Sequence, residues 1–177
     1  MTVASSVVLV GRDAEQAQLD TWLAARSAQV PGTPPALFVT GEAGVGKTAL
    51  IEAALVGRRD VCWVSAVPWH PAPFGVLSQL TPDAVHDPQA VRASLTATGR
   101  PSVLVLDDLQ WADNDSLSLL APLIDALNSD PVAVITAYRA DELPRGHLLR
   151  RTRAQLRHRR QFVEIALDPL PASVLPE

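Results

Sequence analysis

One stretch carries the strongest chemical signal in the chain: Gly41-Glu42-Ala43-Gly44-Val45-Gly46-Lys47-Thr48. Glycine, four residues, glycine, lysine and then serine or threonine is the phosphate-binding loop, or Walker A pattern. Its glycines let the backbone curl until several amide N–H groups aim at one phosphate. The helix-like run that follows, Ala49 to Val56, adds its positive N-terminal end, so Ala49 joins the phosphate-facing set. Lys47 would reach the β- and γ-phosphates, and Thr48 would put its hydroxyl on a magnesium ion. Lys47 is the only lysine, beside fourteen arginines. A chain that otherwise chooses arginine uses lysine where a compact charge on a flexible stem must enter a phosphate cradle.

Two acids complete the pattern. Leu106-Asp107-Asp108-Leu109 closes the unbroken apolar run Val103-Leu104-Val105-Leu106, about 60 residues after the loop. A buried strand that delivers carboxylates to a phosphate loop is the Walker B arrangement. Asp107 would hold the magnesium ion, usually through water, and Asp108 would polarise the attacking water. Asp113 and Asp115 precede a helix and read as N-capping residues. Arg139 follows the segment Thr136-Ala137-Tyr138. If that strand lies between the first and third, Arg139 could sense a γ-phosphate and act beside Lys47 and Asp108.

The elements that must place these groups alternate strand and helix. Val7 to Val10 reads as a short extended piece. Asp13 is expected to cap a helix, with Gln16 as its capping-box partner; Leu19, Trp22 and Leu23 share one face. Pro31-Gly32-Thr33-Pro34-Pro35 is a stiff linker into the strand Ala36-Leu37-Phe38-Val39. Val61 to Val64 is the second strand, and Pro68 to Pro73 a rigid loop before a short helix over Phe74 to Leu80. Asp87 to Thr98 is a helix entered through Pro88. Ser116 to Leu127 is a helix, Val132 to Thr136 a strand, Gly146 to Arg160 a basic helix and Phe162 to Ile165 a fifth strand. This alternation predicts a three-layer α/β sandwich with a mainly parallel five-stranded sheet and ligands at the strands' carboxyl ends.

Composition narrows the classes further. The 177 residues suit one domain (1–35 N-terminal strand, helix and linker; 36–170 core; 171–177 tail). A net charge of −4 gives no global argument for nucleic acid or membrane, and no apolar run approaches a membrane span. The single cysteine, Cys62, excludes an internal disulfide, and the first residues lack the basic start of a secretory signal, so the expected location is the cytoplasm. Cys62 and the aromatic rings of Trp63 and Trp111 read as packing groups, with Trp69 the exposed tryptophan. His70, His86, His147 and His158 have no metal-ligand spacing. The segment from Arg139 to Arg160 holds eight of the fifteen basic residues. Leu148, Leu149, Thr152 and Leu156 would bury one face of its helix and leave the arginines solvated, against a DNA-backbone or partner patch as the other reading.

Taken together, Val10-Gly11-Arg12-Asp13-Ala14-Glu15, the phosphate loop, Ala72-Pro73-Phe74-Gly75-Val76-Leu77, Val105-Leu106-Asp107-Asp108-Leu109-Gln110-Trp111-Ala112-Asp113 and Thr136-Ala137-Tyr138-Arg139 are familiar. The chain resembles the nucleotide-binding domain of STAND ATPases, and more narrowly that domain in large LuxR-type transcriptional regulators of actinobacteria. The resemblance runs from Val10 to about Leu170. It implies a P-loop core of the additional-strand class with sheet order 5-1-4-3-2, which puts Arg139 beside the phosphates. It also implies that Gly11 and Arg12 approach the adenine and ribose. In that family, bound ATP rather than fast turnover drives a switch from an ADP-held resting form to a self-associating active form. Members continue into a helical lid, a winged-helix domain, a sensor and a DNA-reading helix-turn-helix, so a core cut before its lid is the expectation here, with no direct nucleic-acid binding of its own.

Three activities are therefore weighed: an ATP-binding, slowly hydrolysing, magnesium-dependent switch; an assembly module that holds nucleotide without hydrolysing it; and a small-molecule kinase, which needs a separate acceptor pocket and a lid with arginines. A GTPase is disfavoured, because no Asn-Lys-x-Asp guanine-reading motif is present.

Overall fold

A computed structural model describes residues 9–68, 73–80, 86–97 and 103–170. In chain order these form α1 (Asp13–Ser27), β1 (Ala36–Gly41), α2 (Lys47–Ala54), β2 (Val61–Ser65), α3 (Pro88–Thr96), β3 (Val103–Asp107), α4 (Asn114–Ala126), β4 (Ala133–Tyr138), α5 (Leu148–His158) and β5 (Phe162–Leu167). The five strands make one sheet in the order β2-β3-β4-β1-β5. All pairings are parallel, with Thr40 of β1 opposite Tyr138 of β4 and Leu106 of β3 opposite Thr136. The expected P-loop nucleoside-triphosphatase topology, read from the other edge as 5-1-4-3-2, is the one observed.

Strand alternation explains the three layers. Ala36 and Phe38 of β1, with Leu104, Leu106 and Val134, pack against α3, α4 and α5. Leu37 and Val39, with Val103, Val105, Ile135 and Ala137, pack against α1 and α2, through Leu19, Trp22, Leu23, Leu50 and Ile51. The three central strands are covered on both faces, which is why they read as continuous apolar runs. Among the described residues, no helix is long and apolar enough to cross a membrane.

Several local expectations shift. Asp13 is the first residue of α1 and caps nothing: Arg12 occupies the cap position without a side-chain bond, and Gln16 reaches forward to Asp20. Val7 and Val8 lie outside the described residues, and Val10 is exposed and outside any strand. The region from Phe74 to Leu80 contains only one 3₁₀ turn, Leu77–Gln79. Cys62 is exposed, not core, because β2 is the sheet edge. Trp111 is 40% exposed, contrary to a packing role, since it sits on the outside of a 3₁₀ turn after β3. Trp69, His70 and Ala72 lie outside the described residues. The expected buried face of α5 forms through Leu149, Thr152 and Leu156. Its arginines stay solvated as expected, Arg153 alone being half-buried, and they pair at the surface: Arg153 and Arg157 share Glu164 of β5, Arg159 pairs with Asp125, and Arg150 donates to the Leu143 and Pro144 carbonyls.

A buried arginine has no precursor in the sequence reading. Arg26, near the end of α1, is only 4% exposed. Its guanidinium donates to the carbonyls of Leu127 (2.6 Å), Asn128 (3.1 Å), Asp130 (2.6 Å) and Val132 (2.9 Å). Those carbonyls belong to the turn between α4 and β4, so one side chain supplies donors to four acceptors of a tight turn whose ends are buried. Burial lowers the pKa of this guanidinium, and Asp130 opposes the shift. Replacing it strands several acceptors at once. Arg26→Leu is expected to lower the unfolding free energy by about 3 kcal/mol in urea denaturation; a loss below about 1 kcal/mol would show that water replaces the guanidinium.

Candidate functional site

The carboxyl ends of β1, β3 and β4 converge at one rim of the sheet. β1 ends at Gly41 in a conformation, φ 154°, that side chains rarely adopt. A Cβ there would lie 2.6 Å from the Leu167 carbonyl oxygen and 2.8 Å from Val45 Cγ1, so the loop leaves the sheet where only glycine fits. Gly46, at φ 98°, then caps α2. The Leu50 amide is bonded to the Gly46 carbonyl at 2.9 Å. The amides of Lys47, Thr48 and Ala49, one turn earlier, have no acceptor within the helix and are set to receive an anion.

Lys47 is 7% exposed, and its ammonium donates to the carbonyls of Gly41 (3.0 Å) and Glu42 (2.7 Å). Two of its three N–H donors thus brace the loop from inside. Its pKa is lowered, first by burial and then by Arg139, while Asp108, Asp107 and Asp141 oppose the shift. Thr48 Oγ1 donates to Asp107 Oδ2 at 3.0 Å, across 59 residues of sequence. Asp107 Oδ1 accepts from the Asp108 amide at 2.8 Å. Burial pushes the Asp107 carboxyl above the ordinary aspartate range, Asp108 adds to the shift, and the Asp108 amide, Thr48 and Lys47 oppose it.

Asp108 turns the chain out of β3 in the left-handed region, φ 54°, which aspartate tolerates better than most residues. Its carboxylate accepts from Gln110 Nε2 at 2.8 Å. Arg139, one residue past β4, pairs with Glu142 at 2.6 Å, an interaction that raises its pKa. Gly44, Gly46, Lys47, Thr48, Ala49, Asp108 and Arg139 line a single open cleft. A second depression, on the other side of the loop, is lined by Glu42, Ala43, Gly44, Val45, Pro169 and Leu170. The structure therefore brings the loop, Asp108 and Arg139 to one cleft, with Asp107 joined to the loop through Thr48.

Arg12 is 5% exposed, and its Nη2 donates to the Val45 carbonyl (3.1 Å) and the Asp168 carbonyl (2.6 Å). Its Nη1 pairs with Glu15 at 2.9 Å. The guanidinium thus joins the loop to the end of β5. Asp113 does cap α4, accepting from the Ser116 amide at 2.8 Å, but it also accepts from the Phe74 amide at 2.9 Å. Burial raises its pKa, yet the Ser116, Phe74 and Val76 donors hold it below the ordinary value. Asp115 lies inside the first turn and caps nothing. The sequence reading missed Gln110; its position two residues after Asp108, in a turn too short to leave the rim, is the signal that could have found it.

The residues suit a magnesium–phosphate pair. Thr48 and Asp107 offer oxygens on the loop side, and no group of three or more His, Cys, Asp or Glu able to hold a metal occurs among the described residues. A cation here needs phosphate and water oxygens as well, which is how Mg²⁺ commonly binds. A phosphate loop at the end of the strand beside β4, with paired acids ending β3, defines a P-loop nucleoside-triphosphatase domain. The AAA ATPase domain family matches residues 8–87 and 83–135, most of the chain, and the chain belongs to that family. No curated protein matches it.

The raised carboxyl at Asp107 has a stability consequence. A fold that favours the protonated form is penalised once pH exceeds the folded pKa, and unpenalised below the ordinary aspartate value. Asp107→Asn is therefore expected to raise Tm by about 3 °C at neutral pH. The gain should shrink as pH falls toward about 4. Scanning calorimetry across that range checks it, and a lower Tm at neutral pH would contradict the burial argument.

Proposed function

We propose that this domain is the ATP-binding, slowly hydrolysing switch of a larger regulator of the STAND class, of the LuxR type. The observation that carries the reading is the Thr48–Asp107 hydrogen bond at 3.0 Å, which sets two candidate magnesium ligands against each other at the mouth of the loop. When bound, Mg²⁺ supplies charge neutralisation for the β- and γ-phosphates. Thr48 and Asp107 hold it, Asp107 through water. The amides from Gly44 to Ala49 cradle the phosphates, and Lys47 offers its remaining donor to the β- and γ-oxygens. Arg139 stands across the cleft as the γ-phosphate sensor, and Asp108 polarises the attacking water.

Adenine is assigned to the depression between the loop and Pro169–Leu170. Arg12 keeps its two walls together through Val45 and Asp168, and Gly11 beside it is assigned to the same base-and-ribose side. A cleft this open exposes the reacting phosphate to bulk water, which supports weak affinity and slow turnover. A helical lid, a winged helix, a sensor and a DNA-binding segment are the partners through which such a switch would act, with nucleotide-dependent self-association as its output. An assembly module that never hydrolyses is the competing reading.

Calorimetry with the full chain tests the binding claim. Mg²⁺-dependent binding of ATP and ADP is expected, and Lys47→Ala should abolish it. Equal binding by that variant would overturn the assignment of the loop. Asp108→Asn should bind ATP normally and lower phosphate release about a hundredfold or more, the scale of a lost general base. Unchanged release would favour the assembly module.

A further inference from the structure

Gln110 is only 7% exposed, yet both ends of its amide are used. Nε2 donates to Asp108 Oδ1 at 2.8 Å, and Oε1 accepts from the Arg139 backbone amide at 3.1 Å. The two partners fix which end of the amide points where, because a backbone N–H can only donate and a carboxylate can only accept. No other side chain of the same length satisfies both: glutamate would set two carboxylates together, and methionine or leucine would leave a buried N–H and a carboxylate unpaired. The residue's own carbonyl faces the His147 imidazole, which caps α5. Gln110 thus sits where the ends of β3, β4 and α5 meet.

Asp108 depends on this contact more than its position suggests. Its backbone is in the left-handed region, and Gln110 Nε2 is the donor to its carboxylate among the described residues. Arg139 lines the same cleft as Asp108. A displacement of the Arg139 backbone therefore pulls on the same amide that orients Asp108.

We propose that Gln110 is the positioning residue that ties the orientation of the Asp108 carboxylate to the position of Arg139, so that the water-polarising group is aimed only when the phosphate-sensing strand end is in place. The proposal rests on the roles assigned above to Asp108 and Arg139. Gln110 touches neither nucleotide nor water in this scheme. It acts through Asp108, so its removal should alter turnover and leave affinity intact.

Gln110→Glu is the informative variant, because it keeps shape and volume and reverses only the interaction with Asp108. In single-turnover phosphate release with the full chain in excess over Mg–ATP, the rate should fall about tenfold, the scale of losing one hydrogen bond to a charged group. The calorimetric Kd for Mg–ATP should stay within about twofold of the parent chain. Melting temperatures then test the contact itself. Gln110→Glu should lower Tm, and adding Asp108→Asn should restore it, because the new amide can donate to the new carboxylate. Phosphate release at the parent rate, a Kd that weakens in step with the rate, or additive effects of the two substitutions on Tm would each overturn the proposal. If Asp108→Asn alone releases phosphate at the parent rate, the assignment of Asp108 fails first and the proposal with it, a pattern distinct from the other three.

Discussion

The buried carboxylate at the end of β3 is the constraint around which this domain is built. Asp107 sits at the last position of a strand covered on both faces, where an unpaired charge is expensive. Each group near it answers that demand. The Asp108 amide and the Thr48 hydroxyl donate to it, and Lys47 supplies positive charge from the loop. A parallel sheet with β4 between β1 and β3 brings those donors to one rim, because parallel strands all present their carboxyl ends on the same side. The polar groups that make the interior costly are the ones that a magnesium–phosphate ligand would satisfy, so the site is both the least comfortable part of the fold and its functional one.

The loop reads on the same terms. Its glycines are positions where the backbone must pass close to Leu167 or turn left-handed, and the single lysine braces the curl through two carbonyls. Open amides at the start of α2 complete a concavity that favours an anion before any side chain is considered. Asp108 and Arg139 line the same cleft, and the two ends of the buried Gln110 amide join them from behind.

Much of this was legible in the sequence, for physical reasons that can be named. β1, β3 and β4 are covered on both faces and so appear as apolar runs, and the phosphate loop needs its residue types at fixed spacing. Sheet order came from resemblance and not from pattern, since periodicity says nothing of which strand neighbours which. The errors lie where tertiary context decides. Cys62 and Trp111 are apolar by type, but one sits on an edge strand and the other on an outward turn. Asp13 has the chemistry of a cap, but the helix begins one residue too early for it. Arg26 was invisible because its partners are backbone carbonyls, which leave no mark in a sequence, and of Gln110's two contacts only the one to Asp108 is local enough to be read there.

The close approach at Gly41 has a mechanical meaning. With the Leu167 carbonyl filling the space a side chain would need, and Arg12 gripping both Val45 and Asp168, the loop and the end of β5 are fastened to each other at two points. The direction in which the chain leaves the sheet after Leu167 is thereby tied to the shape of the loop, as the hinge pin of a door ties leaf to frame.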